Sequence, residues 1–279
     1  MNSIIIYFSN VPDSHRILLL TISLFLFWNV ENLFGEIRYD KWKHALTNTT
    51  FLLPDAIVQL CLGVVLTKTI SWTAAHQWGV MYFLPKTWSP LLWFLISFVL
   101  SDFCEYVYHV IMHKTAVLWR FHLVHHADTN MDVSTTLREH PNETLIRLSF
   151  LTLFVALIGC SFWMVILRQF IQIVSNVIAH ANIRLPNRID RIVSWIFITP
   201  NVHHVHHHYQ MPYTDSNYGD VLSIWDHMFG TFKTLPAQHT IFGIDTHYEP
   251  YEVETTMQIA LMPFKEVHSQ AEALKPPQT

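Results

Sequence analysis

The chain has 279 residues, enough for one large domain or two small ones. Hydrophobic residues make up 51% and charged ones only 14%, against roughly 25% charged in soluble domains, and the apolar residues fall in long runs, so an ordinary soluble globule is excluded and a membrane protein is indicated. The net charge of −4 leaves no basic footprint for nucleic acid, and Cys61, Cys104 and Cys160, scattered without CxxC spacing, exclude thiolate zinc sites, iron–sulfur clusters and a disulfide framework.

In chain order, the first apolar run covers residues 17–34. It follows a single cation, Arg16, and no small-residue cleavage site succeeds Phe34, so it reads as a span and not a cleavable signal. A second span is expected over 48–70. A third covers 88–112, interrupted early by Pro90, with a proline-free helix running from Trp93 to about Arg120. A fourth apolar region, 145–179, is too long for one crossing and slightly short for two, since each crossing takes about 20 residues. From Gln238 onward the chain is more polar and reads as a cytosolic tail.

The histidines are the chemical signal. Twelve of the nineteen lie between His109 and His208. They form His109-Val-Ile-Met-His113, then His122-Leu-Val-His125-His126, then His203-His204-Val-His206-His207. Residues at i, i+3 and i+4 share one helical face, so each group presents imidazoles in one direction. Eight such nitrogens exceed the needs of one ion and point to a two-metal site, imidazole suiting iron, copper, nickel and zinc. His126 precedes the fourth apolar region and His203 follows it. For both to reach one site, that region must turn back as a hairpin near Gly159-Cys160-Ser161. His180, where the hairpin returns, is a candidate ninth ligand. His140 is either a ligand or a loop contact. His204 and His208 flank the third group off its register, and His227 reads as structural. His15, His44, His76, His239, His247 and His268 read as ordinary surface or interface residues. Asp102 and Glu105, two turns and one turn before His109, are candidates to accept the second N–H of metal-bound imidazoles. With the histidine-bearing ends in the cytosol, Arg38, Lys41, Lys43, Lys114, Arg120, Arg138, Arg147, Arg184, Arg188, Arg191, Lys233, Lys265 and Lys275 are cytosolic as well. Only Arg16, Lys68, Lys86 and Arg168 are left over, a bias that follows the positive-inside rule.

These segments resemble the fatty acid hydroxylase/sterol desaturase superfamily of integral-membrane di-iron enzymes. The matching text begins with Asp102-Phe-Cys-Glu-Tyr-Val-Tyr-His109 through His113 and Trp119-Arg-Phe-His122 through His126. It continues with Thr136-Leu-Arg-Glu-His140-Pro, Ala179-His180-Ala-Asn182 and Thr199-Pro-Asn-Val-His203 through His207. Asn217-Tyr-Gly219, Trp225-Asp226 and Phe229-Gly-Thr231 close it. The resemblance implies two non-haem irons held by His109, His113, His122, His125, His126, His203, His206 and His207, with His180 as a further ligand. It also implies O2 as cosubstrate and hydroxylation or desaturation of an aliphatic C–H bond of a lipid. No haem-binding His-Pro-Gly-Gly is present, since His140-Pro141 is followed by Asn142-Glu143, and no GxGxxG turn or cysteine cluster occurs. Electrons are therefore expected from a separate reductase, ferredoxin or cytochrome.

The expected architecture is an all-α polytopic membrane bundle with a cytosolic histidine-rich metal-binding cap. It divides into an N-terminal transmembrane region (1–87), a hydroxylase-like catalytic domain (88–235) and a cytosolic C-terminal tail (236–279). The apolar substrate path is expected from Trp93, Phe94, Phe98, Phe150, Phe154, Phe162 and Phe170. Within the same chemistry a carotenoid hydroxylase or an ether-lipid monooxygenase stays open. A metal transporter would place its site near mid-membrane, and a zinc hydrolase would want HExxH, whose glutamate His109-Val-Ile-Met-His113 lacks.

Overall fold

The computed structural model describes residues 2–35, 39–246 and 255–265. Within them the chain is helical, with only the isolated bridges Phe197–Leu222 and His208–Phe242. The first helices are α1 (Asn2–Ser9) and α2 (Asp13–Phe34), then α3 (Lys41–Thr49) and α4 (Leu52–His76). After them α5 (Pro90–Lys114) runs into α6 (Ala116–His126), and α7 (Pro141–Ile158) is followed by α8 (Phe162–His180). The remaining α-helices are short: α9 (Asn187–Val193), α10 (Pro200–His206), α11 (Ile224–Phe229) and α12 (Thr256–Leu261). Five segments are long and apolar enough to cross a bilayer: Ser14–Phe34, Lys41–Phe83, Pro90–Lys114, Pro141–Ile158 and Phe162–His180. The protein is a multi-pass membrane helical bundle.

The long apolar region does fold as a hairpin. Helix α7 stops at Gly159, whose φ of 79° is left-handed and whose N–H bonds Val155 O. A Cβ at Gly159 would meet Trp78 O at 2.5 Å, and one at Gly79 would meet Gly159 N at 2.5 Å. Two loops thus pack backbone on backbone, which needs glycine on both sides. The arms have 18 and 19 residues, or about 28 Å each at 1.5 Å per residue, close to a hydrocarbon core of about 30 Å. Helix α4 packs along α7, α5 contacts α7 and α8, and α1 and α2 lie on α8. Leu66, Ile70, Phe94, Val155, Trp163 and Val165 form the buried core between them.

Four expectations change. Pro90 does not interrupt the third span; it sits in the first turn of α5 behind Ser89, whose side chain accepts from Leu92 N. The helix does not continue to Arg120 either. It breaks at Thr115, which is extended (φ −105°, ψ 109°). On one straight rod His109 and His122 would lie about 20 Å apart, whereas the break folds α6 back and brings their Nε2 atoms to 3.1 Å. The aromatic residues expected along a substrate path pack in the core: Trp93, Phe98, Phe154 and Phe162 against the cluster of Phe94, Phe150 edge-on to Tyr108 and Phe170 edge-on to Phe8. The polar C-terminal stretch is partly built in. Ile259 and Met262, fully buried, pack on Leu123 and Val124 of α6, and Tyr209 N bonds Ile241 O. Residues 247–254 and 266–279, with His247 and His268, lie outside the described part.

Candidate metal centre

Three of the elements that build the centre start alike. Helices α5, α7 and α10 each begin with proline behind a capping side chain: Ser89, His140 and Thr199. The cap satisfies an orphan N–H and proline takes the position whose N–H has no partner, so each helix starts at a defined residue. That fixes which later side chains face inward. Because α7 departs from the end to which α8 returns, His180 arrives beside the capped start of α7 and the C-terminal end of α5.

Nine histidines converge there in two groups. His109, His113, His122, His126 and His206 have a ring nitrogen each within 4.8 Å of one another, and so do His125, His180, His203 and His207. Every residue expected as a ligand is in one group or the other. The division does not follow the sequence motifs. In each motif the i, i+4 pair shares a group: His109 with His113, His122 with His126, His203 with His207. The odd imidazole of each HxxHH, His125 or His206, turns to the other group. A step of three residues rotates the side chain by about −60° and a step of four by about +40°, so the two short helices each serve both groups. The groups adjoin, His126 stacking on His207 with centroids 4.4 Å apart.

The nitrogens turned away from the groups carry the tautomer. His109 Nδ1 lies 2.8 Å from Tyr218 O and His206 Nδ1 2.7 Å from Ser216 O. His122 Nδ1 is 2.6 Å from Glu143 Oε1. In the second group His125 Nδ1 faces Arg138 O at 3.2 Å and His180 Nδ1 faces Asn176 O at 2.8 Å. Carbonyls and carboxylates only accept, so these Nδ1 atoms donate and each Nε2 keeps its lone pair. Yet His109 Nε2 and His122 Nε2 face each other at 3.1 Å, and His125 Nε2 and His180 Nε2 at 3.0 Å. Two lone pairs cannot hydrogen-bond each other. Protonation of His125 would resolve the second clash, but burial and neighbouring imidazoles hold it well below the ordinary histidine pKa, as they do His126, His203 and His207, with His206 at about 3. His206 Nε2 and both nitrogens of His113 and His207 are buried and make no hydrogen bond. The donor set fits one cation in each group.

The support beneath these rings departs from expectation in one respect. Asp102 and Glu105 touch no histidine. Asp102 accepts from Val221 N, Leu222 N and Trp225 Nε1, and Glu105 pairs with Arg168 at 3.4 Å. Asp102 thereby ties α5 to the 217–226 loop. Asp226 closes that loop by accepting from Tyr218 N, Gly219 N and Thr231 Oγ1. A Cβ at Gly219 would meet Leu222 O at 2.5 Å, so the turn requires glycine. The loop's product is a pair of carbonyls, Ser216 O and Tyr218 O, aimed at His206 and His109. Asp215 sits 3.4 Å from His113 Nδ1 and pairs with Lys114. Glu143, the carboxylate that holds His122, is the functional residue sequence reasoning missed; its signal was a carboxylate in the first turn of an apolar helix, where the helix dipole also favours it.

The other histidines separate from the centre. His140 Nδ1 caps α7 by accepting from Asn142 N, its ring against Phe121 and Phe264. His204 Nε2 bonds Ala181 O, His208 Nδ1 accepts from Ile241 N, and His227 stacks between Trp195 and Phe232. His44 is more than a surface residue. Its Nε2 is 2.7 Å from Asp128 Oδ1 and its Nδ1 3.1 Å from Asp132 Oδ2, while Tyr39 bonds the same Asp132. Burial alone would raise the Asp128 pKa, but His44 and Arg138 beside it hold the carboxyl far below the usual range.

A cavity reaches both groups, touching His109 and His122 of the first and His125, His180 and His203 of the second.

The fatty acid hydroxylase family profile matches residues 94–231, the stretch that contains all nine histidines. The chain is 29% identical over 159 residues to the ornithine lipid hydroxylase OlsE of Rhizobium tropici, covering 56% of this chain and 46% of the relative. It is 29% identical over 184 residues to alkylglycerol monooxygenase of Xenopus tropicalis, 64% of this chain and 40% of the relative. With cholesterol 25-hydroxylase of Rattus norvegicus it shares 28% over 143 residues, 51% of this chain and 49% of the relative. The chain spans less than half the length of each. No solved structure matches it. The histidine motifs, the membrane bundle that assembles them and these relatives together place the chain in the fatty acid hydroxylase/sterol desaturase superfamily.

Proposed function

We propose that the protein is a membrane lipid oxygenase with two non-haem irons. His109, His113, His122, His126 and His206 hold one, and His125, His180, His203 and His207 hold the other. The observation that carries this reading is the convergence of nine imidazoles in two groups, with Nε2 atoms opposed in each, His109 to His122 and His125 to His180. When bound, such irons supply the activation of O2 that insertion into an unactivated C–H bond demands. The balance is R–H + O2 + 2 e⁻ + 2 H⁺ → R–OH + H2O. Desaturation removes a second hydrogen from the neighbouring carbon with the same oxidant and electrons: R–CH2–CH2–R′ + O2 + 2 e⁻ + 2 H⁺ → R–CH=CH–R′ + 2 H2O. The electrons come from a separate electron-carrier protein, a reductase, ferredoxin or cytochrome, and the histidine end of the bundle faces the cytosol to meet it.

The chain's own contribution is positional. Tyr218 O, Ser216 O, Arg138 O, Asn176 O and Glu143 fix five rings in one tautomer before any ion arrives, and such partners typically change metal affinity 10–100-fold. The helical ends keep the centre buried, which shields a strong oxidant from water. A substrate dissolved in the bilayer meets it at the ends of α5, α7 and α8. The three named relatives act on an ornithine lipid, an alkylglycerol and cholesterol, all membrane lipids, and a lipid is the substrate class proposed for this chain.

Metal analysis of the purified full chain tests the proposal, with two metal ions per chain expected and iron in the active form. Zinc, which outranks ferrous iron in affinity, is the expected replacement in overexpressed protein. A single ion per chain, or two ions retained when His203, His206 and His207 are all replaced by alanine, overturns it.

A further inference from the structure

The cavity beside the two histidine groups is not a hydrocarbon slot. Besides the imidazoles, Ala179 and Gly219, its walls are polar: Glu105, Tyr108, Thr136, Glu139, Arg147, Asn176 and Asp220. The charges among them are paired, although Arg147 Nε keeps no hydrogen-bond partner. Arg147 pairs with Glu139 at 3.4 Å and with Glu143 at 3.2 Å, and Arg168 binds Glu105 at 3.4 Å and Asp220 at 3.1 Å. Two neutral hydroxyls among them are also unpartnered. The hydroxyls of Tyr108 and Thr136 are buried and have no hydrogen-bond partner, and Tyr108 is only 3% exposed. A buried hydroxyl without a partner costs free energy that native proteins normally avoid. Such a cost persists where a ligand supplies the missing bond.

We propose that this cavity takes an uncharged oxygen function of the lipid, an ether, ester or amide, with the Tyr108 and Thr136 hydroxyls as its hydrogen-bond partners, so that oxidation falls on a carbon near that polar group. The inference rests on the lipid-oxygenase reading and names its substrate class. A bare alkyl chain would leave both hydroxyls unsatisfied against the imidazoles. A neutral acceptor answers both hydroxyls without bringing a further charge beside the existing guanidinium–carboxylate pairs. Tyr108 is placed for this by α5 itself: it precedes His109, its ring is held edge-on by Phe150 at 5.4 Å, and the Arg147 guanidinium lies 5.6 Å from its centroid. Both contacts use the ring and leave the hydroxyl free.

The test uses the detergent-purified full chain loaded with ferrous iron, and displacement binding of four probes: hexadecyl methyl ether, methyl palmitate, N-methylpalmitamide and n-octadecane. At least one oxygen-bearing probe is expected to bind about tenfold tighter than n-octadecane, the ratio one hydrogen bond supports. Tyr108→Phe should erase that preference and leave n-octadecane binding unchanged. Its melting temperature should be equal or higher, because it removes an unsatisfied group and keeps the ring. Equal binding of all four probes by the wild type, or an undiminished preference in Tyr108→Phe, overturns the proposal, the second result meaning that water alone serves these hydroxyls. Iron content is measured in the same preparations. Two irons with no probe preference sink the polar subsite alone, whereas a preference without iron sinks the oxygenase reading alone.

Discussion

The two histidine groups are built from the same motifs but anchored differently. In the five-histidine group one ring is held by a carboxylate, Glu143 on His122, two rings are held by loop carbonyls, and Asp215 stands beside His113. In the four-histidine group both anchored rings lean on carbonyls within or next to helices, Asn176 O and Arg138 O. A carboxylate partner makes an imidazole more basic and a better ligand than a carbonyl does. On the two-iron reading the five-histidine group is expected to be the tighter site and to depend on the 215–219 loop, and the four-histidine group to depend on the integrity of α6 and α8. Similar side chains would then acquire different metal affinities from partners that lie one residue further out.

The largest effect expected from breaking this comparison comes from the ligands. His122→Ala and His206→Ala should abolish product and remove the ion of the five-histidine group, and His125→Ala should do the same for its neighbour. All three should still insert, because the apolar spans drive insertion without the site, and His239→Ala, on an exposed segment, should behave as wild type. Product per inserted protein with a competent electron donor is the readout. Wild-type activity in His122→Ala refutes the metal-centred reading.

A smaller change sharpens the asymmetry. Glu143→Gln keeps a group able to accept from His122 and removes the charge, so metal affinity of the five-histidine group should fall about 10–100-fold with the other group unaffected. Stepwise metal titration separates the two, and equal weakening of both would show that Glu143 acts on the fold as a whole. The smallest effect is expected at His140. Its side chain caps α7 and packs on Phe121 and Phe264, away from both histidine groups, so His140→Ala should cost about 1 kcal/mol of stability while both ions stay bound. Loss of an ion in that variant would make it a ligand after all.

Much of the site was legible because imidazole spacing at i, i+3 and i+4 is a helical code that survives any packing. The hairpin was legible for a similar reason: two motifs that must meet flank an apolar stretch too long for one crossing. The break at Thr115 was not, since nothing in Lys114-Thr115-Ala116 forbids helix and only the fold-back of α6 demands extended backbone there. The roles of Asp102 and Glu105 were misread because helical phase says which face a carboxylate occupies and not which neighbour reaches it first. Asp102 lies on the face of His109, but the N–H groups of Val221 and Leu222 and the Trp225 indole arrive there from 119 to 123 residues away.

By itself the sequence determined the helical class, the spans, the hairpin and the identity of nine convergent histidines, because hydropathy and helical periodicity are local properties that each stretch of chain expresses alone. The tertiary structure decided which histidine joins which group, that Glu143 holds His122, that His44 bridges Asp128 and Asp132, and that Tyr108 and Thr136 keep unspent hydroxyls beside the centre. Those outcomes depend on which donors and acceptors lie within about 3 Å of one another, a property of segments far apart in sequence that no single segment encodes.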